Sequence, residues 1–90
     1  MMMTEAGPTP DAALRTRILQ ALALDQRTAL LELRVGVVSG IAHLAGQAPS
    51  VELWILAEQV VSGVAGVRGV VNRIEAPDAP SPARAVNLDL

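Results

Sequence analysis

Gly40-Ile41-Ala42-His43-Leu44-Ala45-Gly46 and Gly66-Val67-Arg68-Gly69-Val70-Val71-Asn72-Arg73-Ile74 are two glycine-opened stretches, each reading as a turn that feeds a strand. Glycine supplies the positive φ of a tight turn, and the residues that follow alternate at the period of two of a half-buried strand. In the first stretch Ala42 and Leu44 share one face while His43 takes the other. In the second, Val70, Asn72 and Ile74 oppose Val71, Arg73 and Glu75, over a strand expected from Val70 to Ala76. Gly46 marks a bulge or a close backbone approach.

Working outward, Leu31 to Val38 alternates as well, with Leu33, Val35 and Val37 against Glu32, Arg34 and Gly36. Ser39-Gly40 then fits a two-residue hairpin loop, so the chain doubles back antiparallel through Ile41 to Ala48. Pro49-Ser50 is the next punctuation, and Ser50 caps a helix expected over Val51 to Ser62. Ala57, Val60, Val61 and Val64 mark its buried stripe, with Gly63 and Gly66 as stop signals. Upstream of the hairpin, Thr9-Pro10-Asp11 opens a helix over residues 11–24, with Asp11 as the expected cap. Leu14, Ile18, Ala21 and Leu22 form its apolar stripe, and Asp25-Gln26-Arg27-Thr28 ends it.

This order predicts an α+β fold: a small α-β-β-α-β sandwich with both helices on one face of a three-stranded mixed sheet. The last strand follows a helical crossover, so it runs parallel to one strand of the hairpin. Residues 1–10 read as a flexible N-terminal segment, 11–76 as the domain and 77–90 as a disordered Pro/Ala-rich tail.

Ninety residues at 51 % hydrophobic make one small domain with a thin core, and Trp54 is its sole aromatic residue. Ala42 and Ala48 leave space that something bulkier must fill. The net charge is −2, and arginines and acids balance over residues 11–76. Because the arginines are scattered rather than clustered, nucleic acid is not an expected partner. The absence of cysteine excludes disulfides and thiolate metal sites, and His43 alone makes no metal centre without clustered carboxylates. The serines sit at turns and caps, with no Ser, His and acid set. Gly63, Gly66 and Gly69 are too loosely spaced for a phosphate loop and precede a strand. No enzyme activity, cofactor or metal is expected.

The chain opens without a basic region or an apolar run of the kind a secretory signal needs. As written it reads as cytoplasmic, or as periplasmic or envelope-associated if it is a mature fragment.

Leu53-Trp54-Ile55-Leu56 is the expected interaction patch, because four consecutive large apolar residues wrap every side of a helix and some must miss the sheet. In the alternative, Leu53 and Trp54 extend over the sheet and leave only Ile55 outside. With no basic rim, the run suits a second copy of the chain better than a membrane surface. Asn72, on the core face of the last strand, reads as structural, satisfying backbone groups near the Gly66 to Gly69 turn.

Taken together these residues resemble the BON domain, named for bacterial osmotically inducible and nodulation proteins. Asp11, Leu14, Ile18, Ala21-Leu22 and Asp25 match its first helix. Leu33, Val35, Val37, Gly40, Ala42, Leu44 and Gly46 match its hairpin, and Gly66-Val67, Val70, Asn72 and Ile74 its closing element. The alanines at 42 and 48 and the apolar start of the second helix depart from the family pattern. The resemblance implies a non-catalytic binding module acting on phospholipid surfaces or a protein partner in envelope or osmotic-stress response. Homo-oligomeric assembly and cytoplasmic potassium sensing are the alternatives it leaves open.

Overall fold

The structure, a computed structural model, describes residues 9–79. In chain order it contains α1 (Pro10–Leu24), β1 (Leu33–Val38), β2 (Ile41–Gln47), α2 (Val51–Ser62) and β3 (Gly69–Glu75). The α-β-β-α-β order is the one read from the sequence, with boundaries moved by one or two residues.

The first helix starts earlier than expected because Thr9, with extended backbone, is its cap. Thr9 Oγ1 accepts the Ala12 N–H at 3.1 Å and Pro10 occupies the first turn. Asp11 is therefore not the cap. Already inside the helix, it turns its carboxylate onto the hairpin loop, accepting Ser39 N–H at 2.8 Å and Gly40 N–H at 3.0 Å. At the other end, the buried Thr28 hydroxyl donates to the Leu22 carbonyl at 2.7 Å, satisfying an acceptor the helix leaves open.

β1 and β2 pair antiparallel from Val38↔Ile41 to Leu33↔Gly46, which leaves Ser39 and Gly40 as a two-residue loop. Their φ values of 51° and 82° are both positive, as a type I′ turn requires. β1 starts at Leu33 rather than Leu31, because the Leu31 N–H goes to the Thr28 carbonyl at 3.0 Å. Pairing runs through Gly46 without interruption, so this glycine marks a close approach and not a bulge. A Cβ there would sit 2.6 Å from the Glu32 carbonyl oxygen.

β3 lies parallel to β2, from Ile41↔Gly69 to Gln47↔Glu75, giving the sheet order β1-β2-β3. α2 begins at Ser50, whose hydroxyl accepts the Leu53 N–H at 3.3 Å. Leu14, Ile18 and Leu22 from α1, Ala57 and Val61 from α2, and Val35, Ala42, Leu44 and Ile74 from the sheet form one buried cluster. Both helices thus cover the same side of the sheet. Leu53 and Trp54 pack against this cluster and supply bulk that Ala42 and Ala48 lack.

Past β3, the Ala79 N–H donates to the Ala76 carbonyl at 3.2 Å and Ala79 is buried, so the segment expected to be a tail from residue 77 opens with an ordered turn. Residues 1–8 of the expected N-terminal segment and 80–90 of the expected tail lie outside the described residues.

Candidate binding surfaces

With both helices on one side, strand alternation sends a second set of side chains to a face that no described element covers. Across the strands this set forms three rows: Val38–Ile41–Gly69, Gly36–His43–Val71 and Arg34–Ala45–Arg73. None of these residues is buried, and Val38 is 62 % exposed. Ile41 lies over Gly69, where a Cβ would meet its Cδ1 at 3.2 Å, while the space above Gly36 is empty. The hairpin end of the face is therefore apolar. Its opposite end carries two guanidinium groups on strands two apart, roughly 10 Å from one another by strand spacing. Neither Arg34 nor Arg73 is engaged in the hydrogen bonds or the ion pair found among the described residues. Gln47 and Glu75 close the far row.

The sequence reading placed its interaction patch elsewhere, on α2. There the four residues separate: Leu53, Trp54 and Leu56 are half-buried, and Ile55 is 45 % exposed. Trp54 turns its ring inward far enough to bury the indole N–H, which finds no acceptor among the described residues. The uncovered sheet face was missed because each strand was read for its core-facing set. The available signal was that Val38, Ile41 and Val71 put apolar side chains where a solvated face calls for polar ones.

Asn72 makes its hydrogen bonds within the domain, with partners other than those expected. Its Nδ2 donates to the Trp54 carbonyl at 3.1 Å and to Glu58 Oε1 at 3.3 Å, and its Oδ1 accepts the Ile74 N–H at 3.1 Å. It ties β3 to α2 rather than to the Gly66 to Gly69 turn, because its side chain shares the face that α2 covers. Gly66 does adopt a positive φ, 99°, in the α2–β3 connection. His43 is exposed, and among the described residues no group of histidines and carboxylates could hold a metal ion. No helix among them is long and apolar enough to cross a membrane.

A groove of about 720 Å³ opens where the α1–β1 loop meets the start of α2, lined in part by Arg27, Leu30, Leu31, Pro49 and Leu53. Leu30 and the nearby Leu24 are 92 % and 84 % exposed. Arg27 is already held by Asp25 at 3.0 Å, and its guanidinium hydrogen bonds keep the Asp25 carboxyl below its ordinary pKa, with the Arg27 backbone N–H adding to the effect. Arg34, Glu32, Gln26 and Gln47 line it as well, so the groove mixes polar and apolar groups around one guanidinium that is paired and one that is unpaired among the described residues.

Two helices layered on one side of a three-stranded mixed sheet, with the opposite side open, define a small α+β domain that has surface to offer a partner. The chain belongs to the BON domain family, whose family model matches residues 10–78. BON domains are non-catalytic binding domains. A search of curated proteins found no match to the chain.

Proposed function

We propose that the chain is a BON-type binding module whose uncovered sheet face seats against a phospholipid surface in an envelope or osmotic-stress setting. The observation that carries this reading is the apolar end of that face, Val38, Ile41 and Val71, set beside the unengaged Arg34 and Arg73. A lipid interface is matched by apolar contact together with cations for anionic headgroups, and α2 offers the first without the second.

Co-sedimentation with phosphatidylglycerol and phosphatidylcholine vesicles tests it. Binding is expected to the anionic vesicles and to weaken with salt. At about 1 kcal/mol for each cation near the surface, Arg34→Ala with Arg73→Ala lowers affinity by about 30-fold. A wild-type protein that pellets with neither vesicle at low salt overturns the reading.

The exposure of Ile55 beside half-buried Leu56 supports a second reading, in which α2 forms a homo-oligomer. Ile55→Glu tests this better than a change at the inward-facing Trp54. A particle mass by light scattering equal to one chain, in wild type and variant alike, removes it.

A further inference from the structure

Among the described residues no further strand pairs with the outer edges of β1 and β3, and such an edge offers a row of backbone N–H and C=O groups to any extended chain. The register shows which groups these are. In the antiparallel pair, Val38↔Ile41 closes a two-residue turn and is hydrogen-bonded, so Gly36 and Arg34 also point their backbone groups inward and Leu33, Val35 and Val37 point theirs out from β1. In the parallel pair, the Ala48 N–H donates to the Glu75 carbonyl at 2.9 Å, so Glu75, Arg73 and Val71 face β2. Val70, Asn72 and Ile74 therefore direct their backbone groups out from β3.

Each edge is closed at an outward group by a side chain from the covered layer. On β1, Arg15 reaches over from α1 and its Nε–H donates to the Val35 carbonyl at 2.7 Å, at the middle outward residue. On β3, Asn72 bends its own side chain along the edge, and Oδ1 takes the Ile74 N–H at 3.1 Å. The Asn72 amide is in turn fixed by the Trp54 carbonyl and Glu58, so it cannot swing away without releasing α2. These are independent devices on opposite edges. A strand adding to β1 must strip a charged donor from Val35, and a strand adding to β3 must break a three-bond network.

We propose that Arg15 and Asn72 are edge guards, which keep this sheet from pairing with the strands of a second copy and leave its faces as the surfaces for partners. A general packing role predicts loss of stability alone on their replacement. Guarding predicts association of molecules that remain folded.

The test is the double variant Arg15→Met with Asn72→Val, which keeps most of the side-chain volume and removes both edge contacts. Sedimentation velocity is followed across a 100-fold concentration series, with far-ultraviolet circular dichroism to confirm folding. The expected result is a species of higher mass than wild type at the same concentration, with native-like dichroism. An unchanged mass distribution in the folded variant overturns the proposal.

Amide hydrogen exchange on the wild-type protein tests the same idea without mutation. Ile74 and Val70 both point outward, so they should exchange alike unless the guard is in place. Exchange at least ten-fold slower at Ile74 than at Val70 is expected, and equal rates overturn the proposal even if the double variant fails to fold.

Discussion

The Asp11 carboxylate accepts the Gly40 N–H at 3.0 Å, while its other oxygen takes the Ser39 N–H at 2.8 Å. One side chain in the first turn of α1 thereby fixes the tip of the hairpin, joining parts of the chain that are distant in sequence. Hydrogen bonds to a charged acceptor contribute about 1.5–3 kcal/mol when buried, and these are partly exposed. Asp11→Ala should lower unfolding free energy by about 1–2 kcal/mol. Asp11→Asn keeps one acceptor and should cost less. Urea midpoints for the three proteins check the ranking.

Gly40 and Gly46 should respond unequally to alanine. At Gly40 the new Cβ would meet Arg68 Cδ at 2.7 Å, the outer part of a flexible side chain that can move aside. Strain from the positive φ remains, of about 1 kcal/mol. At Gly46, φ is 133° and the obstacle is the Glu32 carbonyl, which is backbone. Gly46→Ala should cost about 3 kcal/mol or more and loosen the Leu33 end of the hairpin. Thermal unfolding of both variants decides the order.

Thr28 is the buried polar residue among those described, and its hydroxyl serves the Leu22 carbonyl. Thr28→Val preserves shape and removes the donor, leaving a buried acceptor unmet. The expected loss is about 1–3 kcal/mol, while Thr28→Ser, which keeps the hydroxyl, should lose less. A larger loss for Thr28→Ser than for Thr28→Val in chemical denaturation would mean that the methyl group matters more than the bond.

The buried Trp54 N–H has no acceptor among the described residues, and a donor left unmet in this way costs about 1–3 kcal/mol. Trp54→Phe removes that donor along with part of the ring, and the two effects offset. Its stability should lie within about 1 kcal/mol of wild type, whereas Trp54→Ala, which opens a gap against the core, should lose about 3 kcal/mol. A loss on Trp54→Phe as large as that of Trp54→Ala would show that the N–H has a partner in solution.

The Asp25 and Arg27 pair sets one pH dependence. Hydrogen bonding to the Arg27 guanidinium lowers the folded-state pKa of Asp25 from its ordinary 3.8. The pair's contribution is present above that ordinary value and is lost as pH falls through the lowered one. Asp25→Asn should therefore be less stable than wild type at neutral pH, with the gap closing at strongly acid pH. The pair is solvent-exposed, so the gap is small. Denaturation curves at both pH values measure it.

Much of the fold was legible because each element states its burial in its own period. Leu14, Ile18 and Leu22 recur at helical spacing and Leu33, Val35 and Val37 at strand spacing, and these residues do line or flank the core. Ser50 and Gly40 were legible for the same local reason, since a cap and a type I′ turn are decided within three or four residues. The candidate site was less so. Leu53 to Leu56 advertised themselves by running together, yet helix geometry divides them between the core margin and solvent.

From sequence alone came the element order, the core-facing set of each strand and the two helices on one side, because burial leaves a periodic trace that survives without neighbours. Tertiary structure decided which polar group meets which. Asp11 reaches the hairpin, Arg15 the β1 edge and Asn72 the α2 backbone, and no spacing encodes these choices. The physical reason is range: a hydrogen bond is settled within about 3 Å, and only folding brings groups so far apart along the chain to that distance.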